Sequence, residues 1–173
     1  VFTETITGAN ASVVSSANLY STIISITGSG ATGSTVTVGT NGVGTLDAAR
    51  RIIITSAGNN SMPPEGDPTQ HAELVAVAAA ARALPPEQLA RCTLYTSAEP
   101  CCMCSGAIYW CNIGRVVYAL SEHHLLVLTG DHPENPTFSL PCREVFVRGQ
   151  RQIEVHGPLI EDEAARSHTG FWK

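Results

Sequence analysis

From Thr93 to Leu120 the chain spells strand, breaker, helix, breaker, strand, and that alternation leaves it few ways to fold. Thr93 to Ser97 is a short β-rich run, and Pro100 closes it. Cys101 to Ile113 then reads as a helix stopped by Gly114, and Arg115 to Leu120 is apolar and β-branched again. Strands joined through helices imply parallel β-α-β units, so the chain is expected to be an α/β protein with a central sheet and helices on both faces. Ligand sites in such folds lie at the carboxyl ends of the parallel strands.

The flanking segments extend this pattern. Arg51-Ile52-Ile53-Ile54-Thr55 ends at Gly58 and reads as a buried strand, followed by a loop opened by Asn59 and Asn60. Asp67-Pro68-Thr69-Gln70 has the form of a helix start, with Asp67 as N-cap, Pro68 at the first helical position and Gln70 in the capping-box place. Leu74, Val75, Ala78 and Ala81 follow His71 at helical spacing until Pro85-Pro86, and Glu87 to Arg91 adds a short turn. Ser121 to Pro141 is expected to be a loop. Strands are expected at Glu144 to Val147 and Ile153 to Val155, and a last helix at Leu159 to His168. Before Asp47 there is one charged residue, Glu4, among Gly, Ser, Thr, Ala and Asn. Thr22 to Thr27 and Ser34 to Val38 favour strand there, with a buried helix over Val13 to Ile26 as the alternative.

A length of 173 residues with 43% hydrophobic side chains fits a single domain spanning 1–173. Ten basic against fifteen acidic residues give a net charge of −5, with Lys173 the only lysine, which argues against a nucleic-acid partner. Arg143, Arg148 and Arg151 cluster, but Glu144 and Glu154 flank them and a solvated face is the simpler reading. No basic stretch followed by an apolar core opens the sequence, and the longest aliphatic run, Leu74 to Ala81, is too short for a bilayer; the expected location is cytoplasmic. Cys92, Cys102, Cys111 and Cys142 read as packed thiols, whereas Cys101 and Cys104 form a C-x-x-C that points to metal or redox chemistry.

Those two cysteines, three apart at a helix start, share one face and converge on one ion. The helix N-terminus favours the thiolate form that a metal needs. Alone, the pair fits a redox couple or two buried thiols equally well. His71-Ala72-Glu73 upstream changes the odds: one imidazole and two thiolates suit Zn²⁺, with a fourth position left for water whose pKa would fall towards ~7. Glu73 is then free to move protons. A closed structural zinc site needs a fourth protein ligand, and Cys102, adjacent to Cys101, points elsewhere. The zinc-protease helix is excluded because position 75 is Val where a second histidine would stand.

The combined H-x-E…P-C-x-x-C pattern resembles that of the cytidine deaminase-like superfamily, in its branch of guanine, cytosine and tRNA adenosine deaminases. The segments 67–73 and 94–110, with Gly114 to Ala119, carry the resemblance, which is strong over 58–120, looser beyond, and poor over 1–49. It implies a three-layer α/β/α sandwich around a mixed five-stranded sheet, and a homodimer. It also implies zinc on His71, Cys101 and Cys104, proton transfer by Glu73, and substrate contacts from Asn60 and Ala72. The activity implied is hydrolytic release of ammonia from a small nucleobase or nucleoside. Ala107-Ile108-Tyr109-Trp110 looks most like the guanine deaminase version, while cytosine, nucleosides and tRNA adenosine stay open. A zinc-stabilised module without catalysis is the alternative from another class. Ser121 to Pro141 is expected to set specificity, with His123, His124, Asp131 and His132 as loop or surface residues and Phe171-Trp172 as a candidate lid.

Overall fold

The computed structural model describes residues 21–27, 35–38, 42–46, 51–61, 64–130, 132–133 and 135–172, with side chains from Thr55 onward. One mixed sheet contains β1 (Ser21–Thr27), β2 (Thr35–Val38), β3 (Gly42–Leu46), β4 (Arg51–Gly58), β5 (Thr93–Ala98), β6 (Arg115–Leu120) and β7 (Glu154–His156), in the order β2-β3-β4-β1-β5-β6-β7. The helices are α1 (Ala72–Ala83), α2 (Pro86–Leu89), α3 (Cys102–Trp110), α4 (Glu122–Thr129), α5 (Cys142–Phe146) and α6 (Glu161–Ala165), the last continued by a 3₁₀ turn at Arg166–His168. None of the described helices is long and apolar enough to cross a membrane.

The sheet has seven strands where five were expected. The Thr- and Val-bearing stretches before residue 47 add the antiparallel pair β2-β3 at one edge. Ser21–Thr27 is a strand, which rules out the helical alternative over that part of Val13 to Ile26; the earlier residues lie outside those described. β1 runs antiparallel to both β4 and β5, so β4 and β5 point the same way, and β6 and β7 continue parallel to β5. The carboxyl ends of β4, β5 and β6 therefore share one edge of the sheet. That edge receives Asn59, Glu99 to Cys101, and Glu122.

The main core lies where α1 and α3 pack on the sheet: Ala76, Val77 and Ala80 of α1 and Ile108 of α3 meet Leu94, Val116 and Tyr118 of the strands. Leu94, Ile108 and Val116 have no exposed surface, so burial, more than propensity, holds these elements together. A second cluster joins Ala98 and Leu120, at the strand ends, to Leu125 of α4, with Ala164 and Ala165 of α6 packed against it.

Three local expectations are corrected. Asp67 does not cap α1. Its Oδ1 accepts hydrogen bonds from the Thr69 N–H and hydroxyl, both at 2.8 Å, and the Gln70 N–H reaches the Asp67 carbonyl at 2.8 Å, so 67–70 closes as a turn and α1 starts at Ala72. The strand expected at Glu144 to Val147 is α5 instead, because Cys142 and Phe146, four apart, are both buried and α5 packs on α3. The start of the expected loop after Ser121 is α4, whose N-cap Ser121 accepts from the His124 N–H at 3.2 Å.

The end of α3 also differs from its sequence reading. Asn112, at φ 65°, stops the helix: its N–H bonds the Tyr109 carbonyl at 3.1 Å and the Ile113 N–H bonds the Ile108 carbonyl at 3.2 Å, the Schellman pattern. Gly114 serves close approach, since a Cβ there would sit 2.0 Å from the Ala90 carbonyl oxygen. Gly114→Ala is expected to destabilise the fold by about 1–3 kcal/mol, the range for overpacking against an unyielding neighbour. Urea unfolding monitored by circular dichroism checks it, and an unchanged midpoint would contradict the contact.

Candidate active site

His71 and Cys101 occupy equivalent places, each the N-cap of a helix with extended backbone, at φ −63° and −62°, and neither side chain caps its own helix. An N-cap residue points its side chain across the helix mouth, and so the turn at 67–70, by delaying α1, frees the imidazole to face α3. His71 Nδ1 lies 3.6 Å from Cys101 Sγ, and one ligand atom from each of His71, Cys101 and Cys104 falls within 4.8 Å of the others. Cys104 is the third residue of α3 and has no exposed surface. Among the described residues this is the one group of three or more His, Cys, Asp or Glu side chains close enough to hold a metal. One nitrogen and two sulfurs, partly to fully buried and converging, fit Zn²⁺ with a position left over.

The charges agree with that use. The Cys101 thiol is pulled down to about 4, first by the Cys104 thiol beside it and then, against burial, by His71 and the Cys104 backbone N–H. Cys104 is pushed up, first by the same thiol partner and then by burial and the Glu73 carboxylate. A divalent cation bound between the two sulfurs would favour the thiolate form of both. His71 is raised, chiefly through its contact with Cys101.

Glu73 is 6% exposed and stands next to the sulfurs without belonging to the set: its Oε2 is 3.6 Å from Cys104 Sγ, and its Oε1 accepts from the Thr96 hydroxyl at 2.8 Å. Burial raises its pKa, opposed by hydrogen bonds that include the Thr96 hydroxyl. A carboxyl held at one oxygen, and shifted towards neutrality, is equipped to take and return a proton.

A cavity of about 610 Å³ opens over these groups, lined by Asn59, His71, Ala72, Glu73, Cys101 and Glu122 among others. Ala72 is 1% exposed and begins α1, where a backbone N–H lacks a partner within the helix. Asn60 is not among the lining residues. It is exposed, and its side-chain N–H donates to Gln70 Oε1 at 3.3 Å. Its neighbour Asn59 lines the cavity with a buried Oδ1 that has no hydrogen-bond partner among the described residues. Trp172 forms part of the wall and donates from Nε1 to His168 Nδ1 at 3.1 Å, with its ring edge-on to His132; Phe171 packs on Trp172 but stays outside the lining. His123 is exposed and His124 faces Glu161 at 3.6 Å, so neither joins the metal set; Asp131 lies outside the described residues. Of the four other cysteines, Cys92 and Cys142 are buried, Cys111 is half-buried, and Cys102 is half-buried on the cavity wall. Arg143, Arg148 and Arg151 are exposed, and Arg143 holds the Gly157 carbonyl at 2.8 Å.

Two carboxylates escaped the sequence reading. Glu99, 5% exposed, accepts the Glu122 N–H on one oxygen at 3.0 Å and the Cys142 N–H on the other at 2.9 Å, tying the first residues of α4 and α5 to the chain just before Cys101. Glu122, 4% exposed, is pushed up to about 7, first by burial and then by Cys101, Glu99 and Glu73. Its place at the carboxyl end of β6 is the signal that could have found it.

The chain is similar to known proteins in sequence and in fold. The family model described as "Cytidine and deoxycytidylate deaminase zinc-binding region" matches residues 19–120, reaching back past the point where the sequence resemblance thins. A probable cytosine deaminase of Schizosaccharomyces pombe is 47% identical over 120 residues, covering 69% of this chain and 72% of that one. A guanine deaminase of Bacillus subtilis is 49% identical over 70 residues, 40% of this chain and 44% of its own length. Among solved structures, a guanine deaminase from Nitrosomonas europaea superposes with a TM-score of 0.56 over 88% of this chain and 71% of that one at 21% identity, a likeness of fold.

Proposed function

Since the chain belongs to the family of the cytidine and deoxycytidylate deaminase zinc-binding region, and is a zinc-dependent deaminase by that membership, we propose that its substrate is a free nucleobase, with cytosine first. The observation that carries the reading is the pairing of a His-Cys-Cys ligand set with a separate buried carboxyl, Glu73, on one cavity. His71, Cys101 and Cys104 would hold Zn²⁺, which when bound supplies a Lewis acid that lowers the pKa of water. Glu73, anchored by Thr96, takes a proton from that water as oxygen bonds to the amine-bearing ring carbon, and delivers it to the ring nitrogen. It then takes the remaining hydroxyl proton and passes it to the departing amine. The C–N bond breaks, a carbonyl remains, and ammonia leaves.

Cytosine is placed first because the relative described as a probable cytosine deaminase matches over most of both chains. The small purine favoured by Ala107 to Trp110 is the second reading, supported by the guanine deaminase match. Those four residues do not line the cavity, and Trp110 is 80% exposed, so they bear on ancestry more than on the base. The family resemblance implies a homodimer, and the exposed indole of Trp110 offers apolar surface for such a contact. Trp172, a flat ring on the cavity wall, suits stacking on a heterocycle. The test is ammonia release by protein carrying about one zinc per chain from cytosine, guanine, adenine, their nucleosides and a tRNA anticodon stem-loop. Release from cytosine above all others is expected. Preference for guanine selects the second reading, and no release from any substrate overturns both.

A further inference from the structure

We propose that Glu122 determines specificity, its carboxyl accepting a hydrogen bond from the ring N–H that a free base carries and its nucleoside lacks. The inference rests on the free-base reading above and extends it to a residue outside the zinc set and the proton-transfer group.

Four observations meet at this side chain. Glu122 is 4% exposed, yet it lines the same cavity as His71, Glu73 and Cys101. Its carboxyl oxygens have no hydrogen-bond partner among the described residues. Its backbone is fixed on both sides: Glu99 accepts its N–H at 3.0 Å, and the preceding Ser121 is held by Glu161, which accepts the Ser121 N–H at 3.0 Å and its hydroxyl at 2.5 Å. These bonds fix the main chain from which the Glu122 side chain reaches the cavity wall. The fourth observation is Asn59, whose side-chain oxygen is buried on the cavity lining and has no hydrogen-bond partner among the described residues.

A buried polar group without a partner destabilises a fold, so the Asn59 oxygen marks a place where a ligand completes the hydrogen bonding, and the Glu122 carboxyl lines the same cavity. Both are acceptors, and the ligand must bring donors. A base attached to ribose has lost the ring N–H at the attachment point, whereas the free base keeps it. A carboxyl rigidly held at that point separates the two in a way that an apolar wall cannot, since the donor's absence strands a buried acceptor.

The experiment is a cycle of two variants and two substrates. Wild type, Glu122→Ala and Glu122→Gln are assayed for ammonia release from the free base turned over fastest and from its counterpart methylated at that ring nitrogen, 1-methylcytosine for cytosine or 9-methylguanine for guanine. Zinc content and circular dichroism are measured on each preparation. Methylation is expected to lower kcat/KM of the wild type by roughly 10- to 100-fold, the loss of one charge-assisted hydrogen bond. Glu122→Ala should show a similar loss on the unmethylated base, carried by KM, with zinc retained and no further loss on methylation. Glu122→Gln, which keeps the shape and one acceptor oxygen, should lose less, and it carries the same cycle if the alanine variant does not fold. The assignment is overturned if both variants stay within twofold of wild type on the free base, or if methylation costs them as much as it costs wild type. Absence of turnover by zinc-loaded wild type on every base removes the deaminase reading itself, an outcome distinct from an active enzyme indifferent to Glu122.

Discussion

Glu73→Gln is expected to lower kcat for ammonia release by roughly 100- to 10,000-fold, the usual contribution of a positioned acid–base group, while zinc remains at about one per chain. Glutamine keeps the length of the side chain and can still accept from the Thr96 hydroxyl, which now bonds Glu73 Oε1 at 2.8 Å. It cannot carry a proton between water, ring nitrogen and amine. Because Glu73 lies beside the ligand set and not in it, metal content and activity should part company in this variant. A zinc-stabilised module without catalysis would show no activity to lose. A metal-binding role for the carboxylate would instead be revealed by zinc falling with activity, and elemental analysis beside a steady-state assay separates these outcomes.

Cys104→Ala should produce the opposite pattern, loss of metal first and of everything else as a consequence. Cys104 has no exposed surface, so alanine removes a ligand and leaves a hole beside Glu73. A metal bound at about 1,000 times its dissociation constant stabilises a fold by about 4 kcal/mol, and in a chain of this size each kcal/mol moves Tm by about 2–4 °C. The variant, or wild type treated with a chelator, is therefore expected to melt on the order of 10 °C lower. Calorimetry with and without added zinc measures it. If the variant kept full zinc and an unchanged Tm, the ligand assignment would fail; a redox role for Cys101 and Cys104 would be indicated if changing His71 left their function intact.

What the sequence made legible was the chemistry that local order can encode. His71, Glu73, Cys101 and Cys104 are read from two short segments, because His-x-Glu and Cys-x-x-Cys are spacings local to each segment, although it is the packing of α1 on α3 that brings the two together. β5, β6 and the run ending at Gly58 were equally plain, since apolar β-branched runs between breakers have few readings. Residues whose role depends on distant partners were not legible. Glu99 looks like a solvated carboxylate until Glu122 and Cys142, 23 and 43 positions away, bring their N–H groups to it. Asn59 and Asn60 are identical in type, and only the course of the loop after β4 decides which one lines the cavity. The Val145-Phe146-Val147 run favours strand on propensity and is overruled by burial of Cys142 and Phe146 on one side of α5.

Glu99 also bears on how a pocket of this kind can change over time. It grips the polypeptide at Glu122 and at Cys142, and between those two grips the chain supplies α4 and the Pro-rich segment that contributes Asn135, Thr137 and Phe138 to the cavity. Both ends of that stretch are fastened by main-chain atoms, which every amino acid offers except proline. The stretch can therefore lengthen, shorten or exchange its side chains while its two points of attachment, and the candidate metal-binding cysteines after Glu99, stay where they are. Substrate choice and the machinery for removing an amine are in this way separable units of inheritance, joined at one carboxylate.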